Sequence, residues 1–164
     1  MSCIPRATSL ESLPPLKGPV HLAIGMFDGV HLGHQAVIEA AVQSAKCAWG
    51  TSAVLTFDPH PSRIFRPDNP TRLLMPVELK VGYLKYRGID CVICQEFSPE
   101  FARRDAEQFP VLLKEHIPNL RTLYIGENFR FGNGRKGDVG LLVEESEKVG
   151  LNVISLERIK LNGE

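Results

Sequence analysis

The sequence has no excess of charge of either sign: 19 basic residues meet 19 acidic ones, for a formal net charge of zero. No net field steers the chain toward a polyanion, so nucleic acid and anionic membranes are disfavoured as partners, although a small phosphate site remains open. It also lacks long apolar runs. None approaches the roughly 18 residues of a membrane span, and the opening MSCIPRATSLESLPPLKGP has no apolar signal-peptide core. A cytoplasmic protein is the expectation. Four cysteines in 164 residues do not make a disulfide framework. Cys91 and Cys94 fall in the apolar run Ile89–Cys94, which reads as a buried strand. Residues i and i+3 of a strand face opposite sides, so these two should neither bridge nor share a metal, and no second pair completes a zinc site. Internal repeats and low-complexity tracts are absent too. At 43% hydrophobic and 23% charged, the composition is that of one ordinary globular domain.

The most informative stretch is Leu22–Ile38, LAIGMFDGVHLGHQAVI. The apolar run Val20–Ile24 closes on Gly25, passes through Phe27, Asp28 and Gly29, and turns at His31-Leu-Gly33-His34 into a helical pattern. It reads as strand, tight turn and helix N-terminus. Imidazoles at i and i+3 share a face beside unpaired backbone N–H groups and the positive end of the helix dipole, where a phosphate would sit. Gly33 keeps that approach clear, and Gly25 and Gly29 let the backbone come close to a substrate. The spacing favours a nucleotide over a metal, since helical metal pairs usually stand at i and i+4 and no third ligand is evident. The plain alternative is a pair of turn histidines.

Residues 1–19, with prolines at 5, 14, 15 and 19, read as an irregular lead-in with one helical turn near Ser9–Leu13. After the first helix a strand at Ser52–Phe57 runs into Asp58-Pro59-His60-Pro61, whose two X-Pro steps hold the loop extended. Residues 62–75 are polar and irregular. A helix opened by Pro76 reaches about Tyr86. The Ile89–Cys94 strand follows, then a broken helix from Ser98 to His116, strands at Arg121–Ile125 and Leu151–Leu156, and between them a helix from Val139. Phe97, Phe101 and Phe109 read as core. Strands alternating with helices predict a Rossmann-like, doubly wound parallel sheet of about five strands, with ligands at the strands' carboxyl ends. One motif is a decoy. Gly132-x-Gly134-x-x-Gly137 matches a dinucleotide fingerprint literally but begins six residues after Gly126, too far from the strand's end to bring pyrophosphate to a helix N-terminus.

Gly25-Met-Phe27-Asp28-Gly-Val-His31-Leu-Gly33-His34 resembles the signature of the prokaryotic FAD synthetases, the FMN adenylyltransferase half of bifunctional riboflavin kinase/FAD synthetase, within the His-x-Gly-His nucleotidyltransferases. Met26 stands where asparagine is common, a change expected to affect turn packing. Thr56-Phe-Asp58-Pro59-His60-Pro61 and Gly126-Glu-Asn128-Phe129-Arg-Phe-Gly132 also match family segments. The resemblance implies transfer of AMP from ATP to FMN, giving FAD and pyrophosphate, with Mg2+ accompanying ATP. It places His31 and His34 on the phosphates, Gly25, Phe27, Asp28 and Gly33 on the ATP side, and Asp58, Pro59, His60, Pro61, Asn128 and Phe129 on the flavin side or second substrate loop. Metal ligands are not assigned. Residues 20–164 would form the adenylyltransferase domain, incomplete at its C-terminus: the family continues to an Ile-Ser-Ser-x-x-(Ile/Val)-Arg motif that holds ATP phosphates, and bifunctional members to a riboflavin kinase domain expected downstream. The alternatives are a nucleotidyltransferase for another phosphate acceptor and a non-catalytic flavin or nucleotide binder.

Overall fold

The computed structural model describes residues 6–27, 32–58, 68 and 76–156, with the backbone alone for 6 and 32–34. In chain order the elements are β1 (Arg6–Ala7), β2 (Val20–Ile24), α1 (Leu32–Cys47), β3 (Thr51–Asp58), α2 (Val77–Tyr86), β4 (Cys91–Glu96), the one-turn α3 (Pro99–Ala102), α4 (Phe109–His116), β5 (Leu120–Gly126), α5 (Val139–Glu147) and β6 (Asn152–Leu156). Among the described residues there are also short 3-10 turns at Ala106–Gln108 and Asn133–Arg135. All strands lie in one sheet in the order β1-β4-β3-β2-β5-β6, and every pairing is parallel.

The doubly wound architecture follows from period-two patterning on strands buried on both faces. Leu22, Ile24, Leu55, Ile93, Leu123 and Ile125 point to one face, where they join Leu112 and Leu113 of α4 and Leu142 of α5. Ala23, Val54, Val92 and Tyr124 point to the other and pack with Val37, Ile38 and Ala41 of α1 and Leu84 of α2. Cys91 belongs to the first core and Cys94 to the second, so the sheet stands between them, as the strand spacing requires.

Two expectations need correction. The lead-in is not wholly irregular: Arg6 and Ala7 pair with Val92 and Ile93 and add a sixth strand at the edge. Leu10, only 1% exposed, fixes that strand from within the core, and its N–H donates to the Gln95 side chain at 2.8 Å. Two residues are too short a run for alternation to reveal. The fourth strand also begins two residues later than the apolar run suggested. Ile89 N–H still bonds back to Leu84 O at the end of α2, while Asp90 bridges to Ser52, so both belong to the turn.

Candidate functional site

Successive strands step from β2 to β3 to β4 in one direction, and the chain then returns to place β5 on the other flank of β2. The sheet's topological switch point is therefore between β2 and β5, whose following helices α1 and α5 pack on opposite faces of the sheet. The segments after Ile24, Asp58 and Gly126 leave three neighbouring strands at this edge.

At the end of β2, Gly25 N–H still reaches Leu55 O at 3.1 Å, continuing the ladder. Two residues on, Phe27 takes a left-handed backbone, φ 51°, uncommon for a side chain of this bulk. Its ring is buried and folds back over Gly25, where a Cβ would stand 3.2 Å from the ring. The local strain is thus held within the core that Phe27 shares with Val37, Ile38 and Tyr124, in the segment that carries the Gly25–His34 motif. Met26 packs its side chain toward the opposite core. Gly33 and His34 lie in the first turn of α1. Asp58 is the last residue of β3 and is exposed. Asp28, His31, Pro59, His60 and Pro61 lie outside the described residues.

After β5, Phe129 N–H bonds to Gly126 O, making a tight turn that leaves Asn128 exposed at the edge. Phe131 and Gly137 exchange both backbone hydrogen bonds, at 3.1 and 2.8 Å, and close a small hairpin. Phe131 is sandwiched between Phe109 and Phe129, with centroids at 5.4 and 5.6 Å, and the Phe129 ring lies nearly parallel to it and half-buried. A Cβ on Gly137 would sit 2.7 Å from the Phe131 ring, and one on Gly132, at φ 82°, 2.6 Å from Ala106. These glycines shape a hairpin. Asp138 then caps α5 by accepting from Leu141 N–H at 2.9 Å, so the glycine fingerprint is a coincidence of spacing.

Two features were missed by sequence reasoning. Phe57, Phe97 and Phe101 form an aromatic cluster at the carboxyl ends of β3 and β4, with centroids 5.6–5.8 Å apart. Phe109 is buried as expected, but Phe97 and Phe101 keep part of their surface exposed and so offer a wall as well as core. The second feature is Lys80, 2% exposed, whose Nζ donates to Met26 O at 2.8 Å and Thr56 Oγ1 at 3.1 Å. Its signal was a lysine set among Val77, Val81 and Leu84 in the helical stripe of α2.

The chain is similar to known proteins over most of its length. Residues 14–164 match the family model for FAD synthetase. Over 147 residues the chain is 35% identical to a bifunctional riboflavin kinase/FMN adenylyltransferase of Escherichia coli (strain K12), covering 89% of this chain and 46% of that protein. Over 144 residues it is 34% identical to an FAD synthetase of Listeria monocytogenes, covering 86% and 57%. The chain thus spans about half the length of these relatives. A solved structure described as a macrolide-efflux protein from Streptococcus pneumoniae superposes with a TM-score of 0.82 at 21% identity, over 99% of this chain and 61% of that one, a likeness of fold. With the family model spanning residues 14–164, which hold β2 through β6, the chain belongs to the FAD synthetase family.

Proposed function

We propose that this chain provides the adenylyl-transfer site of FAD formation, joining ATP and FMN to give FAD and pyrophosphate. The observation that carries the reading is the departure of three motif-bearing segments from neighbouring strands at one edge, flanking the switch point. A phosphate oxygen of FMN attacks the α-phosphorus of ATP in line, the bond from that phosphorus to the bridging oxygen breaks, and pyrophosphate leaves with the electron pair. No protein nucleophile is required, so the residues act by positioning and by stabilising charge. His31 and His34 would meet the phosphates from the mouth of α1, with Gly25, Phe27, Asp28 and Gly33 shaping the ATP side. Asp58, Pro59, His60, Pro61, Asn128 and Phe129 would bound the flavin side, where the exposed edges of the phenylalanines suit a flat apolar ring system. Magnesium would enter with ATP, held on its phosphates, as part of the substrate. The setting would be the cytoplasm, and a riboflavin kinase domain, named in the Escherichia coli relative, would supply FMN from a neighbouring part of a longer protein.

The test is a coupled FAD-formation assay on this chain and on one extended by natural downstream sequence, with calorimetric titration of ATP and FMN alongside. His31→Ala and His34→Ala should change stability by no more than about 1 kcal/mol, because little apolar burial is lost at a helix mouth. Each should lower turnover on the order of a hundredfold, the typical cost of losing one donor to a developing oxyanion. Near-parental turnover in either variant would reject the phosphate role for that histidine. Tight binding of both ligands without turnover, even in the extended chain, would favour a flavin and nucleotide binder.

A further inference from the structure

Burying an ammonium group is costly unless its donors are satisfied, so a lysine with 2% exposure needs a reason for its place. Two of Lys80's partners stand at the carboxyl ends of β2 and β3. Its Nζ donates to Met26 O, Thr56 Oγ1 accepts from the same ammonium, and the Thr56 hydroxyl donates to Met26 O at 3.2 Å, which closes a triangle. Each corner is the threshold of a different segment. Met26 immediately precedes the left-handed Phe27 and the loop toward His31. Thr56 lies two residues before Asp58, where β3 hands over to Asp-Pro-His-Pro. Lys80 lies in the first turns of α2, just after the long segment 59–75.

We infer that Lys80 is a positioning residue for the nucleotide loop: its ammonium clamps the Met26 carbonyl, keeps Phe27 in its strained conformation, and ties that loop to the ends of the second substrate segment. The inference rests on the adenylyl-transfer reading. Without the clamp, the Met26–Phe27 peptide can rotate and Phe27 can relax to an ordinary negative φ, carrying the following residues away from the phosphates. Affinity then falls by the fraction of molecules whose loop remains competent. Ligand phosphates should feel this, while the adenosine moiety should not.

The experiment compares ATP and adenosine binding by calorimetry in this chain, in Lys80→Met, in Thr56→Val and in the double variant, with each melt followed by circular dichroism. Lys80→Met should weaken ATP tenfold or more and Thr56→Val several-fold, with adenosine affinity kept within twofold in both. The double variant should be no worse than Lys80→Met alone, because both changes break one triangle. Should Lys80→Met fail to fold, Thr56→Val decides by the same ratio. ATP and adenosine weakening together, or a lowered melting temperature with unchanged ATP affinity, would reduce Lys80 to a structural residue and overturn the inference alone. A parent chain that binds neither ligand would overturn the adenylyl-transfer reading and the inference with it.

Discussion

His21 is a buried histidine in the middle of the sheet, 5% exposed, and its titration should be readable in the stability of the fold. Its Nδ1 shares a hydrogen bond of 2.8 Å with the hydroxyl of Tyr124 on β5, while Nε2 is buried with no partner among the described residues. Protonation would place a charged N–H against apolar surroundings. Burial first, and then the positive charge of Arg121, hold its pKa below the ordinary 6.5. A histidine whose folded pKa is depressed leaves stability intact above the unfolded pKa and removes it as pH falls below that value, because the unfolded chain takes up the proton first. With an unfolded pKa of about 6.5, the loss at pH 5.5 relative to pH 8 reaches at most about 1.4 kcal/mol, or about 3–6 °C in Tm. Urea unfolding of the parent and of His21→Gln between pH 8 and 5.5 isolates this share, since the other four histidines are common to both chains. The parent should lose up to that amount more than the variant. Parallel stability profiles, or a parent that gains on acidification relative to the variant, would refute the assignment of a neutral buried imidazole.

Ser146 is fully buried on α5 and its hydroxyl has no partner among the described residues, so Ser146→Ala should raise unfolding free energy by about 1 kcal/mol in the same denaturation assay. Gly137→Ala would drive a methyl into the Phe131 ring; a cost of about 1–3 kcal/mol is expected, with FMN fluorescence quenching weakened as the Phe129 stack shifts. Toward a thiol reagent, exposed Cys47 should react in the native state, whereas Cys91 and Cys94 should react only as fast as the protein opens.

The sheet was legible because its strands are short apolar runs between turn signals, and because helix and strand periods alternate without interruption. That the segments after β2, β3 and β5 leave one end of the sheet was legible for a related reason: in a parallel sheet, whatever follows each strand arrives at one end. Backbone strain was harder to read. Among the described residues glycines stand beside or near Phe27, Trp49 and Arg135, yet the left-handed conformations fall on these three; core packing of the ring accompanies it at Phe27, and the hydrogen bonds that end α1 accompany it at Trp49. Lys80 was hidden because a single lysine in an amphipathic helix ordinarily reaches solvent, and only the packed distance to Met26 reveals that this one turns inward. The glycine spacing after β5 was correctly set aside in the sequence: Gly132 and Gly137 stand where a Cβ would strike Ala106 and the Phe131 ring.

The two-residue strand at Arg6–Ala7 changes what the opening of the sequence is for. By pairing with Val92 and Ile93, it covers part of the outer edge of β4, and Leu10 N–H anchors the segment that follows it to the Gln95 side chain. Bare edges of this kind invite strands from neighbouring copies. A chain trimmed to begin at Val20 would keep every residue assigned to the site and still have an open flank, so its first failure would be self-association at working concentrations, visible as growing light scattering before any loss of helix signal.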